Sequence, residues 1–278
     1  GLPPRRLGTV AHGGKEPLSR YCLGAEGIAA LFDLPPRVGR DIEERLGRPG
    51  AGHAFADALM PVASEFETKV AIENGILPKD CPAVICGTGA GFCALGYQRG
   101  GGGRVLGVDH NKKRLGVFTE VLKVKGKAMC ADWTTTTSCT KIAREGLKFA
   151  RGGPLSVRLT TSCLGLTTSS THNNVKLFDF EARSNVYDAL RLVCAFLACD
   201  RKKQIVEFFF ENSPVFLRYT HPRSPWSRVK RRLAAHHFHI AAQRNGKMNK
   251  KGAPTTRGRA LVHAYRAPAH KAPKTCYR

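Results

Sequence analysis

Three glycines at alternate positions have the spacing of a turn that cradles a ligand. Gly87, Gly89 and Gly91 follow a short apolar run, Ala83–Cys86, and Asp109 stands about twenty residues further on. Glycine lets the backbone approach a ligand closely, and a carboxylate at the tip of the next strand can accept hydrogen bonds from a ribose diol. The pattern therefore predicts a binding site for a nucleoside-containing ligand.

Two more apolar runs place this turn within a βαβ unit. Arg104–Val108 leads directly into Asp109, and Ala128–Ala131 leads into Asp132. Because the carboxyl ends of parallel strands meet at one edge of a sheet, we expect both carboxylates to lie near the glycine turn. Asp132 is thus predicted as the second acidic residue of the site.

The remaining elements alternate in the way that an α/β fold requires. Helices are predicted over Ala54–Asn74, Lys141–Ala150, Ala182–Cys199 and Ser227–His236. Strands are predicted over Leu155–Leu159, Gln204–Phe210, Phe238–Gln243 and Arg259–Tyr265, the last two forming a hairpin at the sheet edge. We therefore predict a doubly wound, mainly parallel, Rossmann-like sheet with a C-terminal antiparallel hairpin.

The composition divides the chain into three parts. Residues 1–52 are rich in Gly, Pro and Arg and are predicted to form an extension that wraps a surface, with short helices at Ala25–Phe32 and Val38–Leu46. Residues 53–266 carry the α/β pattern. Residues 267–278 alternate Ala, Pro and Lys and are predicted to be a basic tail, for which disorder is the alternative to a folded role.

The net charge of +24 indicates a polyanionic partner. Such an excess of positive charge repels itself on folding, and it is typical of proteins that bind nucleic acid. From residue 212 to the last residue there is no Asp or Glu, but there are 16 Lys or Arg. We favour RNA over DNA or an anionic membrane, because no DNA-reading motif, lipid-binding helix or membrane-length apolar run is present. The candidate RNA contacts are Arg228, Lys230, Arg231, Arg232, Lys247, Lys250, Lys251, Arg257 and Arg259, with ordinary solvated charge as the alternative for each.

The ten cysteines do not have the spacing of a metal site, since no C-x-x-C pair occurs. Most lie in apolar runs, where a free cysteine is a small buried residue. The histidines of the segment 236–239 are interpreted as a basic surface, so no metal is predicted. Free cysteines, basicity and the non-Met start lead us to expect a mitochondrial matrix protein, or otherwise one from a reducing intracellular compartment.

The order of elements and the glycine motif resemble the class I S-adenosylmethionine-dependent methyltransferases over about Pro61–Tyr265. More narrowly, the chain is similar to the FtsJ-type (RrmJ-like) RNA 2′-O-methyltransferases and their viral cap-methylating relatives. The resemblance implies that the glycine turn cradles the methionine part of S-adenosylmethionine, that Asp109 holds the ribose and that Asp132 contacts the adenine edge. The acid that the family places just before the turn is absent, since Ile85 and Cys86 stand there.

The same resemblance implies a Lys-Asp-Lys-Glu catalytic tetrad, which this chain does not preserve. Lys69 matches the first lysine. Cys163 stands where the family has its Asp, Glu207 stands where it has the second lysine, and Arg257–Tyr265 contains no acid. The implied protein is therefore a degenerate RNA methyltransferase.

Three hypotheses follow. The favoured one is a non-catalytic RNA-binding protein, a structural subunit or assembly factor of a mitochondrial ribosome, with ribosomal RNA and neighbouring ribonucleoprotein subunits as partners and with S-adenosylmethionine either kept or lost. The alternative is an active S-adenosylmethionine-dependent RNA 2′-O-methyltransferase, ribosomal or viral, that uses Lys69. A third hypothesis, 5-methylcytosine chemistry at Cys163, is disfavoured because Ser162–Cys163 lacks the preceding proline and a clear acid partner.

Overall fold

One seven-stranded sheet organises the part of the chain that the computed structural model describes, which is residues 34–46, 60–160, 187–212, 224–247 and 258–266. The strand order is β3-β2-β1-β4-β5-β7-β6. Strands β1 to β5 pair in parallel, whereas β7 pairs antiparallel with both β5 and β6. The predicted α/β class, with its mainly parallel sheet and C-terminal antiparallel hairpin, is confirmed. The strands are β1 Ala83–Cys86, β2 Val105–Asp109, β3 Gly126–Cys130, β4 Leu155–Leu159, β5 Ile205–Asn212, β6 His239–Lys247 and β7 Gly258–Tyr265.

Helices cover both faces of the sheet. Because successive strand residues point to opposite faces, β1 sends Val84 and Cys86 to one apolar core and Ala83 and Ile85 to the other. Helices α5, α6 and α7 pack on the first face, and α1, α2 and α3 pack on the second. The helices are α1 Pro36–Leu46, α2 Met60–Glu73, α3 Phe92–Arg99, α4 Lys112–Gly116, α5 Thr136–Phe149, α6 Asp188–Cys199 and α7 Pro225–Ala235, and a π-helical turn, Val117–Val121, continues α4.

Two helices begin earlier in the chain than the sequence predicts, and the residues that cap them explain why. Helix α5 begins at Thr136 rather than Lys141, because the Thr135 side chain accepts a hydrogen bond from the Ser138 backbone N–H at 3.2 Å. Helix α7 begins with a proline in its first turn, and the Ser224 side chain caps it in the same way. The polar run 134–140 is therefore mostly helix rather than a preceding loop.

Other boundaries also differ from the predictions. Strand β3 begins at Gly126, since it pairs with β2 from its first residue, and β6 runs four residues beyond Gln243 because it pairs with β7 along its length. The predicted helix Ala25–Phe32 and the first residues of the helices predicted from Ala54 and Ala182 lie outside the described residues.

A buried charged network joins α2 to the sheet. Glu207 on β5 contacts three groups: its Oε1 lies 2.5 Å from His263 Nδ1, and its Oε2 accepts a hydrogen bond from Ser156 at 2.6 Å and lies 3.4 Å from Arg158 Nη2. The other imidazole nitrogen, His263 Nε2, lies 3.1 Å from Glu67 Oε2 on α2. All five side chains are buried, so each charge depends on the others for compensation.

The pKa values of the network show which protonation state this arrangement favours. Burial alone would lower the pKa of His263, but the hydrogen bonds that its ring donates to Glu207 and Glu67 raise it above its ordinary value. Burial alone would raise the pKa of Glu207, but Arg158 and His263 lower it to about 2. The network thus holds a protonated imidazole between two carboxylates, with the Arg158 guanidinium stacked between the rings of Tyr97 and Phe209.

We predict that Glu67→Gln lowers the free energy of unfolding by about 3 kcal/mol, because it leaves a buried cation without one carboxylate. A raised pKa in the folded state stabilises the protein below the ordinary histidine pKa near 6.5, and this contribution is lost as the pH rises through the folded value. Stability of the wild type should therefore fall as the pH rises above about 6.5. In the variant the pKa of folded His263 is raised less, so the fall should be smaller and should end at lower pH. Urea unfolding at several pH values measures both effects.

The matched control is Glu65→Gln, two residues earlier on the same helix. Glu65 forms an exposed ion pair with Lys69 at 2.6 Å, which contributes only about 0.3–0.5 kcal/mol at this spacing. Equal losses of stability in the two variants would contradict the assignment of the buried network.

Candidate functional site

The glycine turn between β1 and α3 requires its glycines for conformational reasons. Gly87, Gly89 and Gly91 have φ values of 82°, 55° and 100°, which L side chains rarely adopt. A Cβ on Gly87 would also lie 2.4 Å from the Thr160 carbonyl oxygen, and one on Gly91 would lie 2.7 Å from Phe118 Cδ2. The turn therefore has no room for a side chain at Gly87 or Gly91, as a ligand-binding turn requires. The atoms that exclude these side chains belong to the protein itself.

Asp109 at the end of β2 is held by two backbone groups. Its Oδ2 accepts a hydrogen bond from the Gly89 N–H at 2.9 Å, and its Oδ1 accepts one from the Asn111 N–H at 2.8 Å. Only 4% of its side chain is exposed. Each carboxylate oxygen keeps a second lone pair, so the group is oriented and can still accept a hydrogen bond from a ligand hydroxyl.

The turn also contains a hydroxyl that suits a polar ligand. Thr88 Oγ1 is buried and has no hydrogen-bond partner among the residues described. Leaving a buried hydroxyl unsatisfied costs about 1–3 kcal/mol, and a polar ligand at the turn would remove that cost. Together with the oriented Asp109, this atom makes the residues present fit a nucleoside-containing ligand such as S-adenosylmethionine.

Asp132 lies one strand further along the same edge. It is exposed and accepts hydrogen bonds from both the backbone N–H and the hydroxyl of Thr134, each at 2.8 Å, and these bonds lower its pKa. The next residue, Trp133, is buried and donates its indole N–H to Asp188 at 3.1 Å. Because β2 and β3 are neighbours, Asp109 and Asp132 follow adjacent strand ends, as the sequence predicts.

The two other catalytic candidates lie elsewhere. Lys69 is on α2, its side chain is 52% exposed, and its ammonium group pairs with Glu65 one helical turn away. Glu207, which sequence matching assigned to a lysine position of the tetrad, is paired in register with Ser156 at the start of β4. It belongs to the buried network near the amino ends of the strands, so its carboxylate binds core residues.

The acid at the carboxyl end of β5 is Glu211, which the sequence analysis did not single out. It is buried and shares a sheet face with Glu207, since the two lie four residues apart on one strand. The pairing of Leu159 with Phe210 places it beside the residue that follows β4, Thr160. The sequence shows that Glu211 and Glu207 are an even number of residues apart and so lie on one face of the strand. This spacing identifies the acid at the carboxyl end only when the pairing of β5 with β4 is known. Cys163 lies outside the described residues.

Comparisons with known proteins find similar solved structures at low sequence identity. No family model and no curated protein matches the chain. It is similar to solved structures of a putative RNA methyltransferase from Pyrococcus horikoshii, at 13% identity and a TM-score of 0.42 over 86% of this chain and 92% of that chain. It is also similar to a ribosomal protein L11 methylase from Lactobacillus delbrueckii subsp. bulgaricus, at 11% identity and a TM-score of 0.40 over 73% of this chain and 79% of that chain.

A third similar structure is the DNMT2 protein of Spodoptera frugiperda, at 16% identity and a TM-score of 0.46. The match covers 68% of this chain and 51% of that chain, so the chain spans about half of that protein's length. At these identities and TM-scores the likeness assigns no role to any residue of this chain.

The candidate RNA-binding residues are only partly described. On α7, Arg228, Arg231 and Arg232 are exposed, and the Lys230 ammonium group lies 5.9 Å from the centroid of the Trp226 ring. The backbones of Lys247 and Arg259 lie in β6 and β7, without a description of their side chains, and Lys250, Lys251 and Arg257 lie outside the described residues.

The cysteines that the structure describes are free. Burial raises the pKa of Cys139 to about 11, so this thiol is protonated at neutral pH and acts as an apolar core residue. Within the described ranges, no group of three His, Cys, Asp or Glu side chains could hold a metal ion, and no helix has the length and apolarity to cross a membrane.

We predict that Gly87→Ala destabilises the protein by at least about 1 kcal/mol more than Gly152→Ala. Both glycines have left-handed backbones, with φ of 82° and 84°, so both variants share the conformational cost of about 1–2 kcal/mol. A Cβ on Gly152 meets no atom within 4 Å, whereas one on Gly87 meets the Thr160 carbonyl. Denaturant unfolding isolates this contact as the difference between the variants, and equal losses would show that the turn is looser than described.

Proposed function

We propose that this chain is an RNA-binding, methyltransferase-like protein that keeps a binding site for S-adenosylmethionine but not the 2′-O-methyltransferase tetrad. In this proposal it is a structural subunit or assembly factor of a ribosome, with ribosomal RNA and neighbouring subunits as partners. The main support for the proposal is a contrast between the cofactor-binding residues and the residues at the tetrad positions. Asp109 is fixed by Gly89 and Asn111, whereas Lys69 and Glu207 are both engaged elsewhere.

Each residue at the carboxyl ends of the parallel strands would contact a different part of S-adenosylmethionine. The glycine turn would hold the methionine part, Asp109 the ribose hydroxyls and Asp132 the adenine edge, in line with the family resemblance. When bound, S-adenosylmethionine supplies an electrophilic methyl group. In a non-catalytic protein the same contacts would stabilise the fold, because a ligand that binds only the native state raises stability by mass action.

The net charge of +24 supports the RNA partner, because phosphate contacts by Lys and Arg supply most of the sequence-independent affinity for nucleic acid. The mitochondrial matrix remains the proposed location. Its support is this basicity and the free cysteines, which suit a reducing compartment.

A second candidate function is favoured by the position of Glu211. The objections to 5-methylcytosine chemistry at Cys163 were the missing proline and the lack of a clear acid partner, and Glu211 answers the second. Glu211 lies near the carboxyl end of β5, the strand beside β4, and Cys163 follows β4 by four residues in the sequence. A thiolate that adds to C6 of a pyrimidine makes C5 nucleophilic, and a neighbouring carboxylic acid can donate a hydrogen bond to the ring. After C5 is substituted, loss of its proton and expulsion of the thiolate restore the ring.

We predict that the wild type binds S-adenosylmethionine with micromolar affinity in isothermal titration, and that Asp109→Asn weakens binding about 10- to 100-fold. The substitution keeps an oxygen for the Gly89 N–H but removes the charge, and hydrogen bonds to charged groups contribute about 1.5–3 kcal/mol. Asp80→Asn, at the exposed opposite edge of the sheet, is the control and should bind as the wild type does. If the wild type shows no binding, the turn has only a structural role.

We also predict that the wild type co-sediments with ribosomal subunits and transfers no radiolabelled methyl group to ribosomal RNA, because the tetrad is matched only at Lys69, whose ammonium group pairs with Glu65. Transfer that is abolished in Lys69→Ala would instead establish the 2′-O-methyltransferase. Transfer that is abolished in Cys163→Ser, but kept in the exposed-cysteine control Cys130→Ser, would establish base methylation.

A further inference from the structure

Among the residues that the structure describes, the loops at the two ends of the parallel strands differ in charge. Four loops precede β1, β3, β4 and β5, at residues 74–82, 122–125, 150–154 and 200–204, and we call them together the amino edge. Their exposed charged residues include a single acid, Asp80, and seven bases: Lys79, Lys123, Lys125, Arg151, Arg201, Lys202 and Lys203. By contrast, the described loops after β1, β2 and β3, at 87–91, 110–111 and 131–135, contain no Lys or Arg.

Three of these bases occupy backbone conformations that favour glycine. Lys123, Arg151 and Lys203 have φ values of 48°, 52° and 53°. A left-handed conformation costs an L residue about 1–2 kcal/mol. A cation near a helix C-terminus recovers only about 0.3–1 kcal/mol from the helix dipole. The gain from the helix dipole is therefore smaller than the conformational cost at each of the three turns. We infer that the basic side chains are kept there because they bind a ligand at the surface.

We propose that the amino edge is the docking surface for the sugar-phosphate backbone of RNA. Strands β3 to β5 span four inter-strand spacings of about 4.8 Å, or roughly 19 Å. One strand of a duplex carries one phosphate per about 3.4 Å of helix axis, so an edge of this length lies alongside about six phosphates of a strand that runs parallel to it. Contacts of this kind orient a nucleic acid without reading its sequence.

The exposed residues of these loops favour RNA over other anionic partners. They are Lys, Arg, Asp, Gly and Pro, and the aliphatic side chains of the same loops, such as Ile76, Leu77 and Leu122, are buried. A membrane-binding surface needs apolar side chains that insert between lipids, and the described part of the edge exposes none. This inference rests on the proposed RNA-binding function and adds the surface that performs it.

The test compares three charge-neutralised variants of the full chain in binding to a fluorescent single-stranded RNA at several salt concentrations. The edge variant carries Lys123→Gln, Lys125→Gln, Arg151→Gln and Lys202→Gln. The control carries Lys112→Gln, Lys113→Gln, Lys141→Gln and Arg144→Gln, which remove the same charge from exposed positions on α4 and α5. A third variant carries Lys230→Gln, Arg231→Gln and Arg232→Gln on α7.

We expect the salt slope of the edge variant to fall by about 2 to 3, because each phosphate that is no longer neutralised removes about 0.7 from the slope, while the control keeps the slope of the wild type. An equal fall in edge variant and control would overturn the inference, as would a fall in the α7 variant alone. Equally strong displacement of the RNA by polyglutamate of matched charge would assign the edge to an acidic protein instead. A wild type that binds no RNA would reject the proposed function itself, which is a different outcome.

Discussion

Two carboxylates, an imidazolium and a guanidinium buried between α2 and the sheet constrain the rest of the structure. Glu67 and Glu207 each lose several kcal/mol of hydration on burial, and His263, Arg158 and the Ser156 hydroxyl help to compensate for that loss. The four residues come from α2, β4, β5 and β7, which are separated by as many as 196 positions. The network can therefore form only when all four elements are in place.

The network also fixes the register of the antiparallel strand. His263 lies opposite Phe209 and on the same face as Glu207 and Glu67. A slip of one residue would turn His263 to the other face and leave two buried carboxylates without their cation. This cost, larger than any single backbone hydrogen bond, explains why β7 inserts between β5 and β6 with a defined register.

The sequence predicted those features that depend on neighbouring residues. The glycine turn, Asp109 and the βαβ unit that contains them follow from local apolar runs and from the conformational demands of glycine. The role of Glu207 was not predictable, because both faces of Ile205–Asn212 carry large apolar residues and the two acids on one face do not show which of them is buried in the network. Only the pairing with β4 and β7 shows that Glu207 lies in the core and that Glu211 lies at the functional edge.

The buried charges that stabilise the fold lie away from the carboxyl ends of the strands. Residues at those ends can therefore be substituted without loss of the network. The hydrogen bonds described at the carboxyl edge orient Asp109 and connect it to the glycine turn. The buried ionic network of Glu207 lies toward the opposite ends of the strands. A five-residue strand is roughly 17 Å long, so RNA phosphates bound along the amino edge would lie about that distance from the glycine turn. A methyl group at the turn could not reach a nucleotide held there. RNA binding at the amino edge would thus persist after the tetrad was lost, which is the combination that a non-catalytic subunit requires.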